Sequence, residues 1–363
     1  MVQKLFSERS LGTVVLSNSV VMAPMTRCRA IGNIPNALIA EYYGQRATAG
    51  LIITEGTSPS VNGTGYARIP GIYTKEQVEG WKLTTKAVHD KGGRIFVQLM
   101  HSGRISHPLN LVEGTEILAP SAVQPAGEMY TDAQGMQPFP VPKAMTAEDI
   151  RKAKQEFVQA AKNALEAGFD GVELHAANGY LIEQFLALNT NLRTDEYGGS
   201  DENRSRFLVE VVQEVVVAIG KDRVGVRLSP YGNASDIVTY SEEQAEYFAG
   251  KLSEAGIAYI HLADHSSMGA PEVKPSVVKK IRNAFKGTLI RCGGYDGHRA
   301  EQDLESGVAD LIAFGRPFVA NPDLVERLKT GAELKQPDFN TFYTADEKGF
   351  TDYPTLATKG VMQ

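Results

Sequence analysis

Cysteine is scarce: Cys28 and Cys292 are the only two among 363 residues. Two thiols cannot supply a disulfide framework or the four ligands of an iron–sulfur cluster. Long apolar runs are absent too, none reaching the roughly 18 residues that would span a bilayer. The first ten residues carry charge where a signal peptide needs its apolar stretch. Basic charge is not in excess: a net charge of −6 and a pI near 5.7 argue against a nucleic-acid-binding face. The expectation is a soluble, cytoplasmic protein with no nucleic-acid or membrane partner, monomeric or homodimeric. Two motifs are also missing. No Gly-x-Gly-x-x-Gly follows the first apolar run, where Ala23-Pro24-Met25-Thr26-Arg27 stands instead, so a doubly wound dinucleotide fold is disfavoured. No His-x-His pair occurs, which counts against a metal-dependent barrel hydrolase, and no metal is expected.

What is present is a repeated strand–helix alternation. Hydrophobic residues make up 42% of the chain and charged ones 22%, enough to build a sizeable core. Val14–Leu16 and Val20–Met22 flank Ser17-Asn18-Ser19 and read as an N-terminal β-hairpin. Residues 20–23, 51–54 and 95–99 are near-continuously apolar, as parallel strands covered on both faces are. Thr74 with Gln77, and Thr146 with Asp149, mark helix N-termini. Ile150, Ala153, Phe157, Ala160 and Ala164 form the apolar stripe of the second helix. Residues 102–142, rich in Pro, Gly, Gln and Ser, read as a long loop after strand 3, a lid or binding segment. Glu166-Ala167-Gly168, Glu254-Ala255-Gly256 and Glu305-Ser306-Gly307 are three copies of one unit. Each is a helix end, a glycine suited to a left-handed cap, a turn and a buried strand. With 224–228 and 289–292, eight strands can be counted. The pattern is a (β/α)₈ TIM barrel, one domain over residues 1–363.

In such a barrel the chemistry sits at the C-terminal strand ends. Residues 171–180, Gly-Val-Glu-Leu-His-Ala-Ala-Asn-Gly-Tyr, collect His175, Asn178 and Tyr180 where a strand gives way to a helix. A donor pair beside a phenol suits a substrate whose oxygen gains charge while its carbon takes a proton. Gly293, Gly294, Gly315 and Arg316 end strands 7 and 8, where this fold commonly holds a phosphate. A glutamine amide (Gln98) and an arginine (Arg227) at other ends suit a flat phosphorylated cofactor across the mouth. His101, His261 and Asp264 read as supporting hydrogen-bond partners, Cys28 and Cys292 as structural, and residues 193–204 as a scaffold turn. A metal-dependent hydrolase and a non-catalytic flavin-binding protein are the rival readings.

Taken together, Ala23-Pro24-Met25-Thr26-Arg27, Val97 through Arg104, His175 through Leu181, Arg193 through Ser200, Glu202-Asn203-Arg204, Ala313 through Pro317 and Thr351 through Pro354 resemble the old yellow enzyme family in family order. These are FMN-dependent ene-reductases, and the likeness is to the bacterial N-ethylmaleimide and nitrate-ester reductases. The resemblance implies non-covalent FMN, with NADPH or NADH as hydride donor. Activated alkenes, namely unsaturated carbonyls, maleimides or nitroalkenes, would be the substrates, with nitrate esters or nitroaromatics as further ones. It implies that Thr26 bonds flavin O4, Gln98 the pyrimidine edge, and Arg227 the N1/O2 side, where reduced flavin carries negative charge. Ala23, Pro24, Met25 and Gly56 would line the ring, and Gly293, Gly294, Gly315 and Arg316 hold the phosphate. His175 and Asn178 would donate to the substrate oxygen and Tyr180 protonate its α-carbon, with Tyr66, Met100 and Phe350 around the substrate. Many relatives carry Trp in place of Met100 and Tyr in place of Phe350; some carry His in place of Asn178, and a subgroup Cys in place of Thr26.

Overall fold

Near-continuous apolar strands, once formed, need cover on both faces, and closure into a barrel supplies it. The structure is a computed structural model and describes residues 3–238 and 240–359. Its strands are β1 (Arg9–Leu11), β2 (Val14–Leu16), β3 (Val20–Met22), β4 (Leu51–Thr57), β5 (Ile95–Leu99), β6 (Leu118–Ala119), β7 (Glu128–Thr131), β8 (Gly135–Pro138), β9 (Lys143–Ala144), β10 (Gly171–Ala176), β11 (Val224–Leu228), β12 (Tyr259–Ala263), β13 (Thr288–Cys292) and β14 (Leu311–Phe314). Strands β3, β4, β5 and β10 to β14 close in that order into a barrel, each neighbouring pair parallel. The expected (β/α)₈ barrel is therefore present. Both expected capping boxes form, Thr74 with Gln77 and Thr146 with Asp149. Gly168, Gly256 and Gly307 all take positive φ at the three repeated helix ends.

The N-terminal hairpin exists, but one strand earlier than its sequence suggested. β1 pairs antiparallel with β2 around Gly12-Thr13, whereas Val20–Met22 joins the barrel between β14 and β4. The reason is burial: all three residues of β3 are inaccessible, while β1 and β2 each bury only one, Leu11 and Leu16. Those two leucines plug the barrel floor against Val21, Leu51 and Leu311. The stretch 102–142 is also more ordered than a loop. It carries the antiparallel ribbon β7–β8, and Met129 and Phe139 pack with Ile105 over Tyr66 and Tyr180. The turn at 193–204 is scaffold, as its sequence suggested: Arg193 donates to the Pro120 and Met145 carbonyls, and Arg204 to that of Leu186.

Alternation along each strand sorts side chains in or out. Val172, Leu174 and Ala176 of β10 face the helices and join a core with Phe157 and Ala164. Gly171, Glu173 and His175 take the other face. On the neighbours that face carries Phe96 and Gln98, Gly225 and Arg227, and Tyr259 and His261, in matching register. The lower layer is aromatic, with the Phe96 and Tyr259 rings 5.9 Å apart. Their bulk is admitted because residues 171 and 225 are glycines: a Cβ on Gly225 would lie 2.1 Å from the Tyr259 ring.

One helix end bears directly on the mouth. Glu183, in the short helix Leu181–Leu186, accepts from Gly179 N–H at 2.6 Å and from the Ser229 hydroxyl at 2.9 Å. Burial pushes its carboxyl up to about 7 despite those two donors. A pKa raised on folding means that the group's contribution to stability is complete below the unfolded value of 4.5 and is lost as pH rises through 7. Two outcomes follow for unfolding measurements. Gly225→Ala should cost about 1–3 kcal/mol by overpacking the lower layer. Glu183→Gln, which cannot titrate, should gain stability relative to the parent between pH 5 and 8, by at most about 3 kcal/mol; a pH-independent difference would contradict the burial argument.

Candidate active site

Because all eight strands run the same way, their C-terminal ends surround one opening. Fifteen of the seventeen residues singled out from the sequence line a single cavity of about 850 Å³ there: Ala23, Pro24, Met25, Thr26, Gly56, Gln98, Met100, His175, Asn178, Tyr180, Arg227, Gly293, Gly294, Gly315 and Arg316. That volume lies within the range of small-molecule and cofactor sites.

The cavity floor is a buried polar cluster. Gln98 Nε2 donates to Glu173 Oε1 at 2.8 Å, and His261 Nδ1–H donates to Glu173 Oε2 at 2.8 Å. An Nη1 of Arg227 lies 3.2 Å from His261 Nε2. Burial pushes the Glu173 carboxyl up, but His261, Arg227 and Gln98 outweigh it and hold it below the usual range. Glu173 is therefore an anion that orients its neighbours: it takes the Gln98 amide by its Nε2, and Arg227 keeps a buried Nε with no protein partner. His261 thus takes the supporting role its sequence position suggested.

Above this floor stand the three residues of the 171–180 stretch. Burial, with Arg227 nearby, holds His175 well below the usual imidazole range, so it is neutral at physiological pH, and its Nδ1 is buried without a partner. Tyr180 packs edge-on against His175, ring centroids 4.9 Å apart. Burial pushes its phenol up to about 12, so it keeps its proton. Asn178 sits at φ +60°, in the left-handed region that asparagine tolerates better than most residues. Its N–H donates to the Ser229 hydroxyl at 3.0 Å, which in turn donates to Glu183.

Two expected wall residues lie elsewhere. Tyr66 stands behind Tyr180, the two hydroxyls 3.0 Å apart. Phe350 is a correction: it is fully buried, stacked on Tyr42 with centroids 4.0 Å apart and flanked by the guanidiniums of Arg27 and Arg29. Arg29 explains this placement. It donates to the carbonyls of Thr341, Phe342, Asp346 and Lys348, folding that segment so that Phe342 and Tyr343, not Phe350, reach the cavity. The sequence reading also stopped one residue short after β12. His265, next to Asp264, lines the cavity.

The residues present fit FMN on structural grounds. A ring lying across the floor would meet the Gln98 amide and the unpartnered Arg227 Nε, a hydrogen-bonding group and a cation for its pyrimidine edge. Gly315 leaves open space where a side chain would stand, the nearest atom to a Cβ there being Met25 Sδ at 3.6 Å. Gly293 and Gly294, both at positive φ, turn the backbone beside it, and Arg316 reaches across to Ser267. Such a backbone and guanidinium cradle would fit a phosphate.

Comparison with known proteins agrees. Residues 4–335 match the model of the NADH:flavin oxidoreductase / NADH oxidase family. A Leishmania infantum protein described as a "Probable flavin mononucleotide-dependent alkene reductase" is 45% identical over 352 residues, covering 94% of each chain. Morphinone reductase in complex with tetrahydroNAD superposes with a TM-score of 0.92 at 46% identity, covering 97% of each chain. The old yellow enzyme homologue from Zymomonas mobilis gives 0.93 at 42% identity, covering 97% of this chain and 100% of that one. The chain belongs to the NADH:flavin oxidoreductase / NADH oxidase family and is an FMN-dependent oxidoreductase of the old yellow enzyme type.

Proposed function

We propose that this enzyme uses a reduced nicotinamide to reduce the activated C=C bond of unsaturated carbonyl compounds, maleimides or nitroalkenes. The observation that carries this reading is the juxtaposition, over one cavity, of two neutral donor side chains and a protonated phenol, His175, Asn178 and Tyr180. FMN, when bound, would supply the two-electron hydride chemistry that links the nicotinamide to the alkene's β-carbon. Everything else falls to the chain. Thr26, Gln98 and Arg227 hold the ring, Arg227 offsetting negative charge on its pyrimidine side. Gly293, Gly294, Gly315 and Arg316 hold the phosphate, and Ala23, Pro24, Met25 and Gly56 line the ring.

His175 and Asn178 donate to the substrate's carbonyl or nitro oxygen, where charge accumulates as the β-carbon is attacked. A neutral imidazole and an amide donate without adding a full positive charge, so the oxygen is polarised but not trapped. Tyr180 gives its proton to the α-carbon, and Tyr66, hydrogen-bonded to it, holds the phenol in place. Met100, Phe342 and Tyr343 bound the space left for the alkene. The nicotinamide and the alkene occupy the same space in turn, a two-half-reaction cycle. The tetrahydroNAD bound to morphinone reductase, a relative with the same barrel, supports nicotinamide as the donor.

The first test is a visible absorption spectrum of the purified protein, followed by anaerobic NADPH or NADH and then 2-cyclohexenone. A colourless protein that takes up no FMN would overturn the reading. His175→Ala should slow enone reduction by the pre-reduced enzyme about 10²–10³-fold; unchanged turnover and affinity would remove it as an oxygen donor. Tyr180→Phe should slow the same step while leaving flavin reduction by nicotinamide near the parent rate. Equal losses in both half-reactions would argue against a proton donor at this position.

A further inference from the structure

Asn178 has a partner that the proposed reaction does not yet use. His265 Nε2 lies 2.6 Å from Asn178 Oδ1, and both side chains line the cavity. We infer that His265 is the positioning residue that decides which end of the Asn178 amide faces the substrate. The inference rests on the reading of Asn178 as an oxygen donor.

An asparagine amide can point either its NH₂ or its carbonyl oxygen at a ligand, and the two ends have opposite chemistry. The backbone of Asn178 is already held, by Ser229 on its N–H and by Glu183 on the next residue's N–H. What remains free is rotation of the side chain. His265 removes that freedom in its Nε2–H tautomer: with Oδ1 facing Nε2 at 2.6 Å, that nitrogen carries the proton and donates, and the NH₂ is left for the cavity. In the flipped orientation the amide carbonyl would confront the substrate's own oxygen, two acceptors face to face. Burial keeps the imidazole neutral, so the contact is a neutral hydrogen bond that places no extra cation beside the hydride path. His265 is itself held by its neighbour. Asp264 accepts from Ser266 N–H at 2.8 Å and from Val273 N–H at 3.3 Å, folding the loop after β12 so that residue 265 projects towards β10.

The test is a double-mutant cycle on the FMN-loaded enzyme. Two quantities are read: the rate at which the NADH-reduced protein reduces 2-cyclohexenone, and the affinity of the oxidised protein for the same enone, titrated by the flavin absorbance change. His265→Leu, which removes the donor at similar bulk, should lose about tenfold, less than the 10²–10³ expected for removing a donor outright. His265→Gln, which keeps an N–H at similar reach, should recover most of that loss. In an Asn178→Ala background, His265→Leu should have no further effect, because a residue acting through Asn178 has nothing left to position. Losses that multiply instead, or a His265→Leu variant with parental rate and affinity, overturn the inference while leaving the donor reading intact. An Asn178→Ala variant that behaves like the parent overturns both. Should the leucine variant fail to hold FMN, His265→Ala carries the same comparison.

Discussion

The site depends on one buried carboxylate. Glu173 lies inside the barrel with no solvent exposure, where an unpaired ion would cost several kcal/mol. Its partners offset that cost and are oriented in return: Gln98, His261 and, through His261, Arg227. Gln98 spends its Nε2 on the cluster and Arg227 an Nη1, the Arg227 Nε remaining unpartnered, while His261 spends both ring nitrogens within the cluster. The polar floor of the cavity is therefore built from the barrel upward, and it is preorganised before any ligand arrives. Beneath it, glycines at 171 and 225 let Phe96 and Tyr259 fill the lower layer, so that the polar layer rests on a packed surface.

The donor residues are held by a different device. His175 stays on β10, in register with Arg227, and inherits its rigidity from the sheet. Asn178 lies beyond the strand, at a backbone conformation that costs energy for most residues. It is kept there by Ser229 and Glu183 from below and His265 from the side. Tyr180 then opens the short helix that carries Glu183. The loop holding Asn178 and Tyr180 is thus closed on itself through a buried acid, whose raised pKa ties its protonation to the packing around it.

The barrel was legible in the chain because its strands are apolar on both faces and its repeat units end in glycines that must turn left-handed. Most of the cavity lining was legible for a related reason: parallel strands bring all C-terminal ends to one mouth, so the strand ends share one opening. Where the reading missed, long-range packing had decided. Val14–Leu16 and Val20–Met22 differ little as short apolar runs, and only the demand for buried barrel strands assigns the second to the sheet and leaves the first paired with Arg9–Leu11 in the hairpin. Phe350 and Phe342 are equally aromatic, and Arg27 and Arg29, more than 300 residues away in the chain, turn one inward and the other towards the cavity.

By itself, then, the sequence determined the fold class, the stretch His175–Asn178–Tyr180 and the cavity-lining strand ends, since these follow from local periodicity and from order along the chain. Only the tertiary structure decided how those groups are poised. The neutrality of His175, the retained proton of Tyr180, the orientation of the Asn178 amide and the identity of the wall opposite them arise from burial and from contacts between distant segments. No spacing within a strand or helix encodes such contacts.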